Sequence, residues 1–367
     1  MNVLEAKRPW IALNMMLTPR KVLLLLDHFP NAEAAWRASQ AQLAAVPGFV
    51  KDAASFVKKR QELKLDRELD EVKRRKLDVL TLADERYPQA LRGLKVPPPV
   101  LYVDGTLDER DQLALAVVGT RRSSAYARRV TAQLTRQLVK RGLTVVSGLA
   151  LGVDSAAHRS ALEASGRTLA VLGSGLARVY PVENRQLAQR VAAQGAVLSE
   201  FSLYTDPARW TFPRRNRVIS GLSRGVLVVE APQKSGALIT ARAALDQGRE
   251  VFAVPGCITQ PNASGCHLLI QQGAKLVQNV EDILDEFPDL QAVSKRLLPP
   301  PSVGQPLPPL SDAQQRVFAA LSFEPRHLND LVAANALSVA ELSALLIELE
   351  VLGLVGEMDN KHYVRLA

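Results

Sequence analysis

The stretch TFPRRNRVISGLSRGVLVVEAPQKSGALIT, Thr211 to Thr240, sets a basic cluster, an apolar strand and a helix-opening loop side by side. Gly225-Val-Leu-Val-Val-Glu230 is short, apolar and β-branched, the composition of a strand covered on both faces. Its carboxyl end meets Ala231-Pro-Gln-Lys-Ser-Gly-Ala237, a turn sequence leading into a helix expected from Ala237 to Gln247. A helix that opens at the end of a parallel strand aims unpaired N–H groups at that place. With Lys234, Ser235 and Gly236 beside it, the preferred occupant is an anion. Just upstream, Arg214, Arg215 and Arg217 crowd around Asn216. Charge alone leaves two readings of that cluster, a solvated basic face or a phosphate site.

Working outward, the pattern from Leu113 onward repeats strand, glycine loop and helix. Ala114 to Val118 precedes Gly119-Thr120-Arg121 and a helix to about Arg141. Leu143 to Val146 precedes Gly148 and a helix to Ser165, and Thr168 to Leu172 precedes Gly173-Ser174-Gly175 and a helix ending near Gln194. Ala196 to Ser199, Val226 to Glu230 and Val251 to Val254 complete about six strands, which predicts an α/β fold with a parallel sheet and helices on both faces. Ligands of such sheets bind beyond the carboxyl ends of the strands, where these loops collect. No loop carries a complete nucleotide signature: Gly173-Ser-Gly175 lacks the third glycine of the dinucleotide fingerprint, and no GKS or GKT follows a glycine loop.

The chain has 367 residues, which favours two or three domains, and its formal charge is +9. That charge is uneven. Residues 86–287 hold 25 Lys and Arg against 16 Asp and Glu, with Arg supplying 21 of the cations, whereas residues 311–367 hold 4 against 8. Arginine suits bidentate phosphate contacts and stacking on bases, so the middle segment is expected to meet a polyanion. No apolar run is long enough to span a bilayer and no leader precedes the first helix, so the chain reads as soluble and cytoplasmic. Cys257 and Cys266, with His267, are too few for a zinc site and are expected to be reduced structural thiols.

Residues 1–85 read as short helices with Pro or Gly between them, followed by a strand at Leu77 to Leu82. Ala44-Ala-Val-Pro-Gly48 resembles the hairpin loop of helix-hairpin-helix and SAM-like domains, with an ordinary helix-to-helix turn as the alternative. Tyr87 to Tyr102 contains Pro97-Pro-Pro99 and reads as an extended joining segment. A Pro-rich linker covers 288–310. Beyond it, helices from Ser311, His327 and Ser338 and a hairpin around Asp359-Asn360 give the winged-helix plan. Its third helix, SVAELSALLIELEVLG, has Glu341, Glu348 and Glu350 and no Lys or Arg, so this module is expected to contact protein rather than bind DNA tightly, with a DNA clamp acting through the wing, which carries Lys361 and Arg365, as the alternative.

Six blocks in order carry a resemblance: VVGTRRSSAYA (117–127), VVSGLALGVDSAAHRSAL (145–162), VLGSGLARVYPVENRQLA (171–188), FPRRNRVISGLS (212–223), KSGALITARAALDQGREVFAVPG (234–256) and SGCHLLIQQGAKLV (264–277). Together they closely resemble the DprA/Smf family. The resemblance implies an extended Rossmann-like sheet core with a helical SAM-like N-terminal domain and a C-terminal winged helix. It further implies binding of single-stranded DNA, a homodimer, and loading of the RecA recombinase during transformation, with no cofactor and no metal. Arg121 matches the Arg of the family's G-[ST]-R loop, Arg214, Asn216 and Arg217 its FPxRNR block, and Lys234, Ser235 and Gly236 its KSG block. Gly119, Thr120, Gly148, Gly173, Ser174, Gly175 and Arg178 complete the expected DNA surface, and Leu268, Leu269, Ile270 and Leu276 the expected dimer interface. After Tyr180-Pro181 many members carry a basic residue; here Val182 stands there, with Arg178 and Arg185 as substitutes for that contact. Trp210, beside Phe212, reads as core, with base stacking as the alternative.

A rival class is a phosphoribohydrolase-like nucleotide-processing enzyme on the same kind of sheet. Such enzymes use a P-G-G-x-G-T-x-x-E loop, and Glu230-Ala-Pro-Gln-Lys-Ser-Gly236 lacks its glycine pair and glutamate. Glu230 is expected to orient or pair rather than act as a base, and Asp154 to cap the helix that carries His158.

Overall fold

The computed structural model describes residues 3–288, 310–322, 325–335, 337–358 and 361–365. Within the Pro-rich segment, residues 289–309 lie outside the described residues, as does the Asp359-Asn360 turn. The chain divides into two compact units, Met1–Leu298 and Pro299–Ala367.

After a single helical turn at Val3–Ala6, the first unit continues with α1 (Arg8–Met16), α2 (Pro19–His28), α3 (Ala32–Arg37), α4 (Gln40–Ala44), α5 (Val50–Glu62) and α6 (Leu65–Arg74). Asn31 and Ser39 cap α3 and α4, Ser39 in a reciprocal capping box with Gln42. Leu13, Val22, Leu25, Phe49 and Phe56 form a core of their own. The opposite face of α1 and one face of α6 bury Ile11, Leu65, Leu69 and Val72 against Val100, Tyr102, Leu172 and Val191 of the sheet layer. Buried polar contacts fix this seam: Lys7 Nζ donates to the Val79 carbonyl at 2.6 Å, Asn14 Nδ2 to the Glu200 carbonyl at 3.0 Å, and the Leu203 N–H to Glu68 at 2.8 Å. Removing any one would orphan a buried group.

The sheet strands are β1 (Asp78–Thr81), β2 (Val100–Gly105), β3 (Ala114–Val118), β4 (Thr144–Ser147), β5 (Thr168–Val171), β6 (Ala196–Ser199), β7 (Gly225–Val228), β8 (Glu250–Ala253) and β9 (Lys275–Leu276). They form one nine-stranded sheet in the order β1-β2-β6-β5-β4-β3-β7-β8-β9. The strands from β3 to β9 are mutually parallel, and β2 is antiparallel to both β1 and β6. The sheet is therefore larger than the expected set, and it begins at Asp78, ahead of residue 86. Tyr87 to Tyr102 also departs from the expected joining segment, because its last residues start β2. Three prolines in succession have no N–H to donate, and the strand starts at Val100, where donors return.

Five helices connect the parallel strands or flank them: α7 (Ala125–Lys140), α8 (Val153–Glu163), α9 (Arg185–Gln194), α10 (Thr211–Leu222) and α11 (Gly236–Asp246). After β8 come α12 (Ser264–Gln271) and α13 (Val280–Leu284). Two apolar layers sandwich the sheet, one around Ala116, Val146, Val218 and Val226, the other around Leu115, Val145, Leu134 and Phe252. The chain runs outward from β3 through β6 on one side and from β7 through β9 on the other. A crevice therefore opens beyond the carboxyl ends of β3 and β7.

The second unit contains α14 (Asp312–Ala320), β10 (Arg326–His327), α15 (Leu328–Asn335), α16 (Val339–Val351), β11 (Val355–Met358) and β12 (His362–Arg365). Ser311 and Ser338 open α14 and α16 with capping boxes. Val317, Phe318, Leu331, Leu342, Leu346 and Leu349 form its core, and its strands pair in the order β10-β12-β11. Three helices and a small antiparallel sheet are the winged-helix plan. Among the described residues no single helix is long and apolar enough to cross a membrane; the bent pair α15 and α16 meets that test by length and composition, and its inward residues build this core.

Candidate nucleic-acid interface

The loop after β3 is tied to the end of β7. Thr120 N–H donates to the Glu230 carbonyl at 2.7 Å, and the Glu230 carboxylate accepts from Ser124 N–H at 2.9 Å and Ser124 Oγ at 2.7 Å. Ser124 in turn caps α7. Glu230 is thus an orienting group with both oxygens engaged. Gly119 sits so close to the next elements that a Cβ would lie 2.6 Å from Val153 Cγ2 and 2.9 Å from the Glu230 carbonyl, so a side chain here would push the loop off the sheet.

The floor of the crevice is built by α10. Arg215 is buried, donates from one guanidinium nitrogen to the carbonyls of Gly148 and Val171, the latter at 2.7 Å, and its Nε reaches Asn216 Oδ1 at 3.0 Å. It thereby ties the loops after β4 and β5 together, and burial pushes it down to about 10. Asn216 Nδ2 donates to the Gly236 carbonyl at 3.2 Å, which fixes the start of α11. Ser235 caps that helix by accepting from Ala237 N–H. Asp154 does not cap α8, as the sequence suggested; Gly152, at φ +81°, holds that position. The Asp154 carboxylate instead turns back to accept from the N–H groups of Gly148 at 3.1 Å and Ala150 at 3.4 Å, and burial raises its pKa against the opposing field of Arg215. His158 is fully buried, bonded through Nδ1 to Thr168 Oγ1 at 2.7 Å, and burial lowers its pKa to about 3.

On this frame a recess of about 340 Å³ is lined by Gly119, Thr120, Arg121, Arg122, Lys234, Ser235 and Gly236, over a floor that includes Asp154, Arg215 and Asn216. Arg121, Arg122 and Lys234 are exposed, and among the described residues none has a carboxylate partner in an ion pair. Arg121 lies 5.0 Å above the Phe212 ring. A smaller recess continues from it, bounded by Gly148, Gly173, Leu151, Tyr180, Phe212 and again Arg121 and Arg215.

The remaining expected residues lie elsewhere. Arg214 and Arg217 share one buried carboxylate, Glu200, with Arg214 Nε at 3.2 Å and Arg217 closer still, and Arg217 also donates to the Val96 carbonyl. Neither lines the two recesses. Ser174 and Gly175 are buried, Ser174 Oγ donating to the Arg178 carbonyl at 2.7 Å. Arg178 faces Asp206 and the Tyr204 ring. Leu269 belongs to the sheet's own core and Leu268 and Ile270 are half-buried, while Leu276 is exposed. Trp210 is 58% exposed, against the expectation of a core residue, because it precedes α10 and leans one ring edge on Phe201. Cys266 is buried with its thiol pushed up to about 12, whereas Cys257 is exposed rather than structural. Sequence reasoning passed over Arg122, whose only signal is its place beside Arg121, and the bracing role of Arg215. Among the described residues no cluster of His, Cys, Asp and Glu could hold a metal ion.

Comparison with known proteins gives consistent matches. Residues 78–288 match the family model of DNA recombination-mediator protein A, and residues 299–360 that of the DprA winged helix domain. A protein Smf of Synechocystis is 38% identical, covering 97% of this chain and 98% of its own length. The DNA processing protein DprA of Bacillus subtilis is 44% identical over 62% of this chain and 76% of its own. The X-ray structure of DprA from Streptococcus pneumoniae superposes with a TM-score of 0.67 at 36% identity, covering 74% of this chain and 94% of that one. A structure of DprA from Helicobacter pylori, concerned with its single-stranded DNA binding mode, superposes with a TM-score of 0.52 at 32% identity, over 58% and 96%.

Proposed function

The chain belongs to the DprA/Smf family of DNA recombination-mediator proteins, and on that premise we propose that it binds single-stranded DNA across the crevice beyond β3 and β7. The observation that carries this reading is the set of exposed cations Arg121, Arg122 and Lys234 around the amino end of α11. Unpaired N–H groups of the helix start and three cations without carboxylate partners offer phosphates both hydrogen bonds and charge. No base-reading side chain is needed for such contacts, so binding is insensitive to sequence. In this reading Asn216, Gly148 and Gly173 shape the surface, and Arg214, Arg217, Ser174, Gly175 and Arg178 act behind it or beside it.

The same geometry supports a binding role over the phosphoribohydrolase-like alternative. Glu230 is engaged by Ser124, Asp154 by two backbone N–H groups, and His158 is buried away from the crevice, so among the described residues that line it no carboxylate or imidazole is free to move a proton there. We further propose a homodimer through the α12 to β9 segment, RecA as the protein partner, and a cytoplasmic, soluble protein. The domain division given from the sequence stands as our assignment, with β1 added to the DNA-binding sheet. The winged helix is assigned to protein contact: α16 exposes Val339, Ile347 and Val351 among its glutamates.

The test is the affinity of the double variant Arg121→Ala, Lys234→Ala for oligo(dT) and mixed-sequence oligonucleotides across a salt series. The expected result is an equal loss on all sequences and a salt slope shallower by about 1 to 2. Unchanged affinity, or a loss confined to one sequence, would remove the crevice as the binding site.

A further inference from the structure

A second cationic recess, of about 460 Å³, lies outside the crevice, where α6 of the helical N-terminal layer meets the loops after β5 and β6. Lys64, just ahead of α6, Arg67 in its first turn and Arg178 of the loop after β5 line it, and all three are exposed. Among the described residues Lys64 and Arg67 have no carboxylate partner in an ion pair, and the intervening Asp66 is held by Arg8. Arg178 meets Asp206 at 3.4 Å, but both side chains are more than half exposed, so the pair is loose and open to exchange. The one carboxylate in the lining, Glu68, is buried and accepts from Leu203 N–H at 2.8 Å. The guanidinium groups of Arg67 and Arg178 lie 5.2 and 5.7 Å from the centre of the same ring, Tyr204. Two like charges gathered over one ring repel each other, and an anion between them removes that repulsion.

We propose that Lys64, Arg67 and Arg178 form a second phosphate site, through which the helical N-terminal layer holds the same DNA strand that occupies the crevice. The inference rests on the DNA-binding reading above and extends the strand's path beyond it. The placement supports one continuous track. Strands β3 to β6 are parallel and follow one another across the sheet, so the loops after β5 and β6 open at the same end as the crevice, with β6 about 14 Å from β3 across three strand spacings. The loop after β5 spans the interval: Gly173 borders the smaller recess of the crevice, and Arg178, five residues on, lines the second site. That loop is paired to the loop after β6 by Gly175 N–H to the Thr205 carbonyl at 2.9 Å and Ala177 N–H to the Leu203 carbonyl at 3.0 Å. Leu203 in turn is tied to Glu68 of α6, so Arg67 and Arg178 are set before any ligand arrives. Ser202 Oγ and Thr205 Oγ1 also line the recess, 2.9 Å apart; one donates to the other, which leaves one hydroxyl hydrogen for a phosphate. The contacts are to charge alone and carry no sequence preference.

The experiment measures binding to the full chain by fluorescence anisotropy at low salt, with oligo(dT) of about 20 nucleotides, which can follow the whole track, and of about 6, which fills the crevice alone. The double variant Lys64→Ala, Arg67→Ala is expected to weaken the long probe about ten-fold and to make its salt slope shallower by about 1.4, the loss of two phosphate contacts on a single strand. Binding of the short probe should stay within about two-fold, which also reports an intact fold. Lys58→Ala, Lys59→Ala removes two exposed cations of α5 that do not line the recess, and should leave both probes within about two-fold. No loss on the long probe would overturn the second site and leave the recess, at most, to a small anion. Equal loss on both lengths, or an equal loss in the Lys58, Lys59 control, would overturn it too, since the effect would then be one of general charge. Wild-type protein that binds neither probe would bring down the DNA-binding reading, and the extended track with it.

Discussion

Changing Arg217 to Ala separates a DNA contact from a structural one. Its guanidinium has two partners in the fold, the Glu200 carboxylate and the Val96 carbonyl, and the Glu200 side chain is 1% exposed. Truncation leaves Glu200 with Arg214 alone, at 3.2 Å, and orphans the carbonyl. Breaking a buried pair from one side costs about 3 to 5 kcal/mol; with Arg217 partly solvated, at 19% exposure, about 2 to 3 kcal/mol is expected. For a unit of this size that lowers the melting temperature by about 3 to 5 °C. Arg217→Lys keeps the charge but loses the second donor, and should recover part of the loss. The assay pairs thermal unfolding by circular dichroism with oligo(dT) affinity measured well below the transition. A melting temperature within about 1 °C of wild type together with a ten-fold or greater loss of affinity would refute the reasoning and make Arg217 a DNA ligand after all.

Three further predictions follow from other parts of the chain. His158 has its folded pKa lowered from 6.5 to about 3, so the unfolded chain binds a proton that the folded chain refuses; its contribution to stability is whole above pH 6.5 and falls by about 1.4 kcal/mol per pH unit on acidification through that window. His158→Gln should flatten the pH dependence of urea midpoints between pH 6.5 and 5, and an unaltered slope would show that other groups control it. Charging Ile270 and Leu276 together, both to Glu, should give a monomer in sedimentation if the dimer forms through the α12 to β9 segment, and a persisting dimer places the interface elsewhere. Ending the chain at Leu298 should leave oligo(dT) affinity within about three-fold of wild type, because α16 presents glutamates rather than cations; a loss beyond about ten-fold would make the winged helix a DNA-binding element.

The alternation of strand, glycine loop and helix could be read from the sequence because it is local. The central parallel strands are short apolar runs, most of the helices between them carry a capping side chain or a glycine stop, and β3, β6 and α7 lie within a residue or two of where periodicity puts them. The capped start of α11 was equally legible, since Lys234, Ser235 and Gly236 are contiguous and Ser235 is the cap. The extra strand β2 was hidden, because it lies against the proline run and its partners β1 and β6 are distant in sequence. The arginine cluster was hidden in another way. An α-helix turns roughly 100° per residue, so Arg215 points away from Arg214 and Arg217, which lie three residues apart on one face of α10 and share Glu200. Which of them meet Glu200, which one braces two glycine loops and which face is left for a ligand depend on what packs around the helix. Those partners come from β6, from the loops after β4 and β5, and from the proline-rich approach to β2, brought together only when the sheet is assembled. Sequence determined that this region would be basic and sheet-mounted; tertiary structure decided that its free cations are Arg121, Arg122 and Lys234, because these line the crevice exposed and without an ion-pair partner among the described residues, whereas Arg215 is buried in its floor and Arg214 and Arg217 are spent on Glu200.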